Sequence, residues 1–154
     1  MSVIARIQAA GIVLPPPDLP KALYVPYTIH HGLLTVSGQL PIEGGAPRFV
    51  GKVPTDVDLD TAREAARLCV ANLLGWVSAA TDGAFDRVRG VVRLAGYVAA
   101  ASDFHDAPQV INAASVLINE IFEERGHHAR LAIGVATLPF NAPVEIEAIF
   151  ALDR

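Results

Sequence analysis

Arg130, Glu145 and Glu147 are charged residues set inside two otherwise apolar segments of the stretch "GHHARLAIGVATLPFNAPVEIEAIFAL", residues 126–152. Arginine is a planar fork that matches a carboxylate through two parallel hydrogen bonds. Glutamate can hold or activate a water as a general base. The two together suit a small carboxylic acid that is hydrolysed next to its own carboxylate. The plainer alternative is an Arg–Glu pair on a solvated sheet face, which adds little to stability. Residue types and spacing leave both readings open. They also leave open whether Arg130 meets Glu145 within one subunit or across an interface.

Side chains alternate along a strand. In the first segment Arg130, Ala132 and Gly134 share one face, and Leu131, Ile133 and Val135 the other. In the second, Glu145 and Glu147 oppose Val144, Ile146, Ala148 and Phe150. If the apolar faces pack under helices, Arg130 and both glutamates lie together on the remaining face. Such a face, with small neighbours around a few charges, leaves room for a ligand or a partner subunit.

Other chemistry-bearing residues read more simply. His127 and His128 occupy successive strand positions, so they point to opposite faces, and no Asp, Glu or Cys stands at ligand spacing. They are read as loop or cleft-rim residues, and no metal is expected. His30 and His31 read as turn residues. Arg87, Arg89 and Arg93 form the one basic stripe, on a shared strand face. It lacks the aromatic platform that single-strand binders use. Ser102, Asp103, His105 and Asp106 have the types of a triad but no nucleophile elbow, so a polar loop is expected. Cys69 reads as a buried apolar residue, and Trp76 as core or subunit contact.

These residues must be positioned by regular elements. Residues 2–10 read as a short amphipathic helix, ended by "LPPPDLP" at 14–20, which starts an extended segment. "PYTIHHG" and "LLTVSG" read as two strands around His31–Gly32, followed by a turn-rich connector at 42–54. Asp58 or Asp60 can cap a helix running to about Ala80. Residues 87–100 read as a strand, 102–108 as a loop, and 109–126 as a second long helix stopped by Gly126. Strands at about 129–136 and 144–152 complete the order. That order is α+β, with helices covering one face of a mixed sheet.

The chain of 154 residues is read as a single domain, with 1–20 an N-terminal helix and Pro-rich extension. Its apolar residues reach 52%, and the mean hydropathy is +0.39. The longest greasy runs, 69–80 and 91–101, fall short of the roughly 18 residues a spanning helix needs. Apolar surface hidden between subunits is the better account, so a homo-oligomer is expected and membrane contact is not. A net charge of −4 disfavours a nucleic-acid partner held by counterion release. One cysteine rules out a disulfide framework. With no signal-like N-terminus, a cytoplasmic location is expected.

Three blocks, in order, carry a resemblance. "YVPYTIHHGLLTVSGQLP", "VINAASVLINEIF" and "GHHARLAIGVATLPFNAPVEIEAI" are similar to blocks of the RidA/YjgF family of enamine/imine deaminases. The "GHHAR" form looks like a divergent branch. The resemblance implies the chorismate-mutase-like α+β fold, a homotrimer with sites in clefts between subunits, and a small carboxylate metabolite as partner. It implies cofactor-free hydrolysis of 2-enamine or 2-imine carboxylates, such as 2-aminoacrylate, to 2-keto acids and ammonia. Under it Arg130 clamps the substrate carboxylate and Glu145 positions the hydrolytic water. Tyr24, with Tyr27 as the competing alignment, Ser37, Gly38 and Asn112 line the site. Ala132 stands where the family carries a cysteine, so a thiol nucleophile is not available there. A carboxylate-binding protein without turnover, or an RNA-acting protein using the arginine stripe, are the alternatives.

Overall fold

The computed structural model describes residues 1–16 and 22–153. Residues 17–20, the last four of "LPPPDLP", therefore lie outside the described residues. The elements are α1 (Val3–Ala9), β1 (Tyr27–His30), β2 (Leu33–Gln39), β3 (Ile42–Glu43), β4 (Ala46–Pro47), α2 (Leu59–Ala80), β5 (Val88–Ala99), α3 (Ala107–Phe122), β6 (Ala129–Val135) and β7 (Val144–Leu152). Five strands form one sheet in the order β1-β2-β7-β5-β6, and β3 and β4 pair separately in the connector. Only β5 and β6 run parallel, joined by the α3 crossover; the other pairings are antiparallel.

The helices form where the apolar period and the end signals agree. Asp58, not Asp60, caps α2: its carboxylate accepts from the Thr61 N–H at 2.7 Å, which satisfies one of the orphan donors of the first turn. Asp60 instead pairs with Arg63 at 2.8 Å. α3 starts two residues earlier than its periodicity predicts, because Pro108 fits the first turn, where no N–H partner is needed. It also stops earlier, at Phe122, and residues 123–126 tighten into a 3₁₀ turn.

The core lies between the sheet and α2 and α3. Along β7 the alternation is complete: Val144, Ile146, Ala148, Phe150 and Leu152 are buried, and the residues between them are half-exposed. The close approach of α3 to the sheet depends on Gly96. A Cβ there would sit 2.5–2.8 Å from three side-chain atoms of Ile111, which is itself fully buried and has nowhere to go. Gly96→Ala is expected to destabilise the fold by about 1–3 kcal/mol, the usual cost of overpacking a tight core. Denaturant unfolding checks this; an unchanged midpoint would mean that α3 is less tightly seated.

The N-terminal helix is part of this core. Val3 and Ile7 are 1% exposed, the helix packs on α3, and Arg6 donates to the Ile121 carbonyl and pairs with Glu123 at 3.2 Å. Trp76 is likewise core, with its ring N–H on the Gln39 side-chain oxygen at 3.2 Å. None of the described helices is long and apolar enough to cross a membrane.

Candidate functional site

The strand register decides where the charged residues point. Opposite residues in a ladder share a face. Arg130, Ala132 and Gly134 stand opposite Leu94, Gly96 and Val98. Leu94 and Val98 are fully buried and Gly96 lies under Ile111 of α3, so this is the helix-covered face. Glu145 and Glu147 stand opposite Tyr97 and Ala95, which in turn stand opposite Ile133 and Leu131. That is the open face. The expectation that Arg130 and the glutamates share a face is therefore overturned: within one chain they lie on opposite sides of the sheet. Alternation separates two faces but does not say which one a helix covers. On edge strand β6 the small residues go under α3 because the helix needs the room, and Leu131, Ile133 and Val135 are left outside.

Arg130 is anchored on the α3 side. One of its terminal nitrogens donates to the Asn112 side-chain oxygen at 2.6 Å and to Ser115 Oγ at 3.3 Å. Ser115 also meets His128 Nε2 at 3.0 Å, and His128 Nδ1 lies 2.6 Å from the Gly126 carbonyl. A carbonyl only accepts, so Nδ1 carries the proton; in the neutral ring Nε2 then accepts from the serine hydroxyl. The chain Gly126–His128–Ser115–Arg130 is thus satisfied throughout. Among the described residues the rest of the guanidinium fork makes no hydrogen bond, and Arg130 is exposed.

A second group forms around the bulge in β2. The β2–β7 register slips between Val36 and Gln39, which brings Gly38 onto Glu145. A Cβ on Gly38 would lie 2.2 Å from the Glu145 carboxylate oxygen, so only glycine leaves the carboxylate its place. Ser37 Oγ donates to the Val25 carbonyl at 2.8 Å and ties this bulge to the segment carrying Tyr24. Tyr24 is 57% exposed and, with Gly38, Asn72 and Trp76, lines a cavity of about 610 Å³. Tyr27 packs against Trp76 with ring centroids 6.3 Å apart, so of the two tyrosines Tyr24 is the one that faces open space.

Burial raises the Glu145 carboxyl above its ordinary value, and the negative charge of Glu147 adds to this. A raised native pKa means the folded state holds its proton to higher pH than the unfolded chain. Stability therefore falls as pH rises from about 4.3, the unperturbed glutamate value, through the raised one. Glu145→Gln is expected to unfold at higher denaturant than the natural chain at neutral pH, and to lose that advantage at pH 4. A Gln variant no more stable at pH 7 than at pH 4, relative to the natural chain, would contradict this. Burial also pushes the Cys69 thiol well up, Glu145 contributing. The thiol is enclosed in the core and out of reach of any cleft.

The described structure thus sorts the sequence candidates into two groups. Arg130 and Asn112 meet on the α3 side; Tyr24, Ser37, Gly38 and Glu145 gather at the β2 bulge. Ser115 and Tyr97 were not among the candidates, and His128, read from the sequence as a loop or cleft-rim residue, joins the Arg130 group through Ser115. Ser115 could have been found from its position three residues beyond Asn112, on the same helix face. Tyr97 depends on strand pairing, and no local signal points to it. The arginine stripe is also altered: Arg87 lies in a 3₁₀ turn before β5 and pairs with Asp153 at 3.2 Å, and bulges interrupt β5 on either side of Val91.

Comparison with known proteins fits this architecture. The family described as "YjgF/chorismate mutase-like, putative endoribonuclease" matches residues 4–151. The chain belongs to the YjgF family. Protein TCP17 of Trypanosoma cruzi is 39% identical over 153 residues, spanning 99% of this chain and 95% of that one. The Agrobacterium tumefaciens protein Atu1372, whose function is unknown, is 46% identical, with 98% of this chain and 92% of that chain covered and a TM-score of 0.92. A Shewanella oneidensis member of the same endoribonuclease description is 28% identical, with coverages of 99% and 100% and a TM-score of 0.93. The α+β fold and the YjgF membership drawn from the three sequence blocks therefore stand.

Proposed function

We propose that this YjgF-family chain is a cofactor-free hydrolase of small 2-enamine or 2-imine carboxylates, such as 2-aminoacrylate, and releases a 2-keto acid and ammonia. The observation that carries the reading is the Arg130 guanidinium. Asn112 and Ser115 prop it through one nitrogen, and the remaining fork is left for a carboxylate. Arg130 orients the substrate by that carboxylate. The enamine takes a proton on carbon and becomes the imine. A water held by Glu145 adds to the imine carbon; Glu145 takes the water's proton and passes it to nitrogen, then takes the proton of the new hydroxyl and gives it to the departing nitrogen, so that C=O forms, ammonia leaves and Glu145 is regenerated. The raised Glu145 pKa makes its carboxylate a stronger base than a surface glutamate. No metal or cofactor is asked of the mechanism, because the C=N carbon is already electrophilic.

The two residue groups lie on opposite sides of one sheet, so the reading places the site between subunits: the Arg130 group of one copy against the Glu145 group of the next. The open sheet face supports such an assembly. It carries Leu33, Tyr97, Leu131, Ile133 and Ile149 with no helix over them, and we assign it to a homotrimer of the kind the family resemblance implies. A cytoplasmic location is part of the same proposal.

Release of keto acid from enzymatically generated 2-aminoacrylate, faster than the spontaneous rate, tests the reading; no acceleration across a panel of imines would remove it. Ala132 in the position of the family cysteine favours one second reading, a carboxylate-binding protein without turnover, which would bind keto acids but accelerate nothing. RNA cleavage that survives loss of Arg130 but not neutralisation of Arg87, Arg89 and Arg93 would instead point to the endoribonuclease description of the family.

A further inference from the structure

We propose that the substrate carries a second acidic group at the far end of its side chain, and that Lys52 and His105 receive it. The inference rests on the proposed function and names the substrate class of that same cleft. It starts from a cavity of about 670 Å³ between the loop after β5, the first turn of α3 and the end of β6. One wall is Ala132 and Gly134, which alternate with Arg130 on the same face of β6. At about 3.3 Å per residue, Ala132 lies roughly 7 Å beyond Arg130 along the strand. Arg130 itself stands just outside the cavity, so a substrate held there by its carboxylate enters the cavity when its side chain runs along this wall.

The size of the cavity argues against a three-carbon acid as the only occupant. Its volume is within the roughly 300–1,000 Å³ that drug-sized ligands use, and 2-aminoacrylate would leave most of it to water. Ala132 contributes by being small; a bulkier residue at this position would narrow the passage from Arg130.

Phe104, Ala107, Pro108 and Ala132 give the lining of the cavity apolar surface. Lys52 and His105 are the ionisable side chains that line it, and no carboxylate does so among the described residues. Lys52 is a half-buried residue, and its ammonium forms no ion pair among those residues. Its backbone is firmly held: the Lys52 N–H donates to the Asp56 carboxylate at 2.9 Å, and Val53 is bonded to Ala99 and Ala101 at the end of β5. A cation on a fixed backbone beyond the end of β5, five or more strand positions from the level of Arg130 and with its charge unspent, matches a terminal carboxylate. Imines of longer, ω-carboxylated amino acids fit this; those of serine or of purely aliphatic amino acids do not use Lys52.

Titration calorimetry with three keto acids tests it: pyruvate, 2-oxohexanoate and its dicarboxylate counterpart 2-oxoadipate. 2-Oxoadipate should bind about tenfold or more tighter than 2-oxohexanoate, the scale of one charge-assisted hydrogen bond. Lys52→Met should erase that difference and leave the affinities for pyruvate and 2-oxohexanoate unchanged. His105→Ala should reduce the difference in part. Equal affinities for the two six-carbon acids, or a preference that survives Lys52→Met, would overturn the inference; if both then also lose binding on Arg130→Ala, the cleft itself stands. If none of the three binds the folded protein, the carboxylate-cleft reading and this inference fall together.

Discussion

Arg130→Ala is expected to lower keto-acid release from 2-aminoacrylate by on the order of 10²–10³-fold, the scale on which misplacing a reactant is felt in a site built on orientation. The fold should survive the change. Arg130 is exposed on an edge strand, and its described hydrogen bonds go only to Asn112 and Ser115, both on the half-covered rim of α3. Thermal unfolding within a degree or two of the natural chain, together with the lost rate, would assign the effect to substrate and not to structure. Arg130→Lys should recover only a small part of the rate. A lysine offers a point charge where the carboxylate needs a fork, and it cannot hold Asn112 and a substrate at once in the same geometry. A rate within twofold of the natural chain in Arg130→Ala would remove this residue from the mechanism and, with it, the reading of the α3 rim as the carboxylate site.

The second large effect comes from mixing two inactive chains. Glu145→Gln removes the base and should cost a similar factor in rate. Because the Arg130 group and the Glu145 group lie on opposite faces of one sheet, neither variant can be rescued within its own chain. Between chains rescue is possible. In the proposed homotrimer each site would draw Arg130 from one copy and Glu145 from its neighbour. Equal mixing gives each position an even chance of either variant, so a site has both natural residues about one time in four. Co-refolded Arg130→Ala and Glu145→Gln chains should therefore recover about a quarter of the natural activity, whereas each refolded alone stays inactive. No recovery from a mixture shown by mass to contain both chains would mean that Arg130 and Glu145 do not build one site between subunits.

Much of the fold was legible in the sequence because it rests on local rules. The 3.6 period and the capping aspartate marked α2, the Pro and Gly signals marked its neighbours, and alternation marked β7 residue by residue. The candidate residues came from ordered blocks, and Gly38 now has a physical reason: a Cβ there would displace the Glu145 carboxylate. What misled was β6. Its Leu131, Ile133 and Val135 are the greasier set, and a greasy set is ordinarily the buried one. In this fold it faces a surface that none of the described helices covers, while Ala132 and Gly134 lie toward α3.

Alternation by itself determined that Arg130 groups with Ala132 and Gly134, and that Glu145 groups with Glu147, because a strand's side-chain period is two whatever surrounds it. It could not determine which of the two faces meets the helices, since that sign is a property of the neighbours and not of the strand. The parallel register of β6 on β5, the antiparallel register of β7 on β5, and the seating of Ile111 over Gly96 decided it. Those pairings join residues far apart in the chain. They turned an apparent Arg–Glu pair into two residue groups on opposite sides of a sheet.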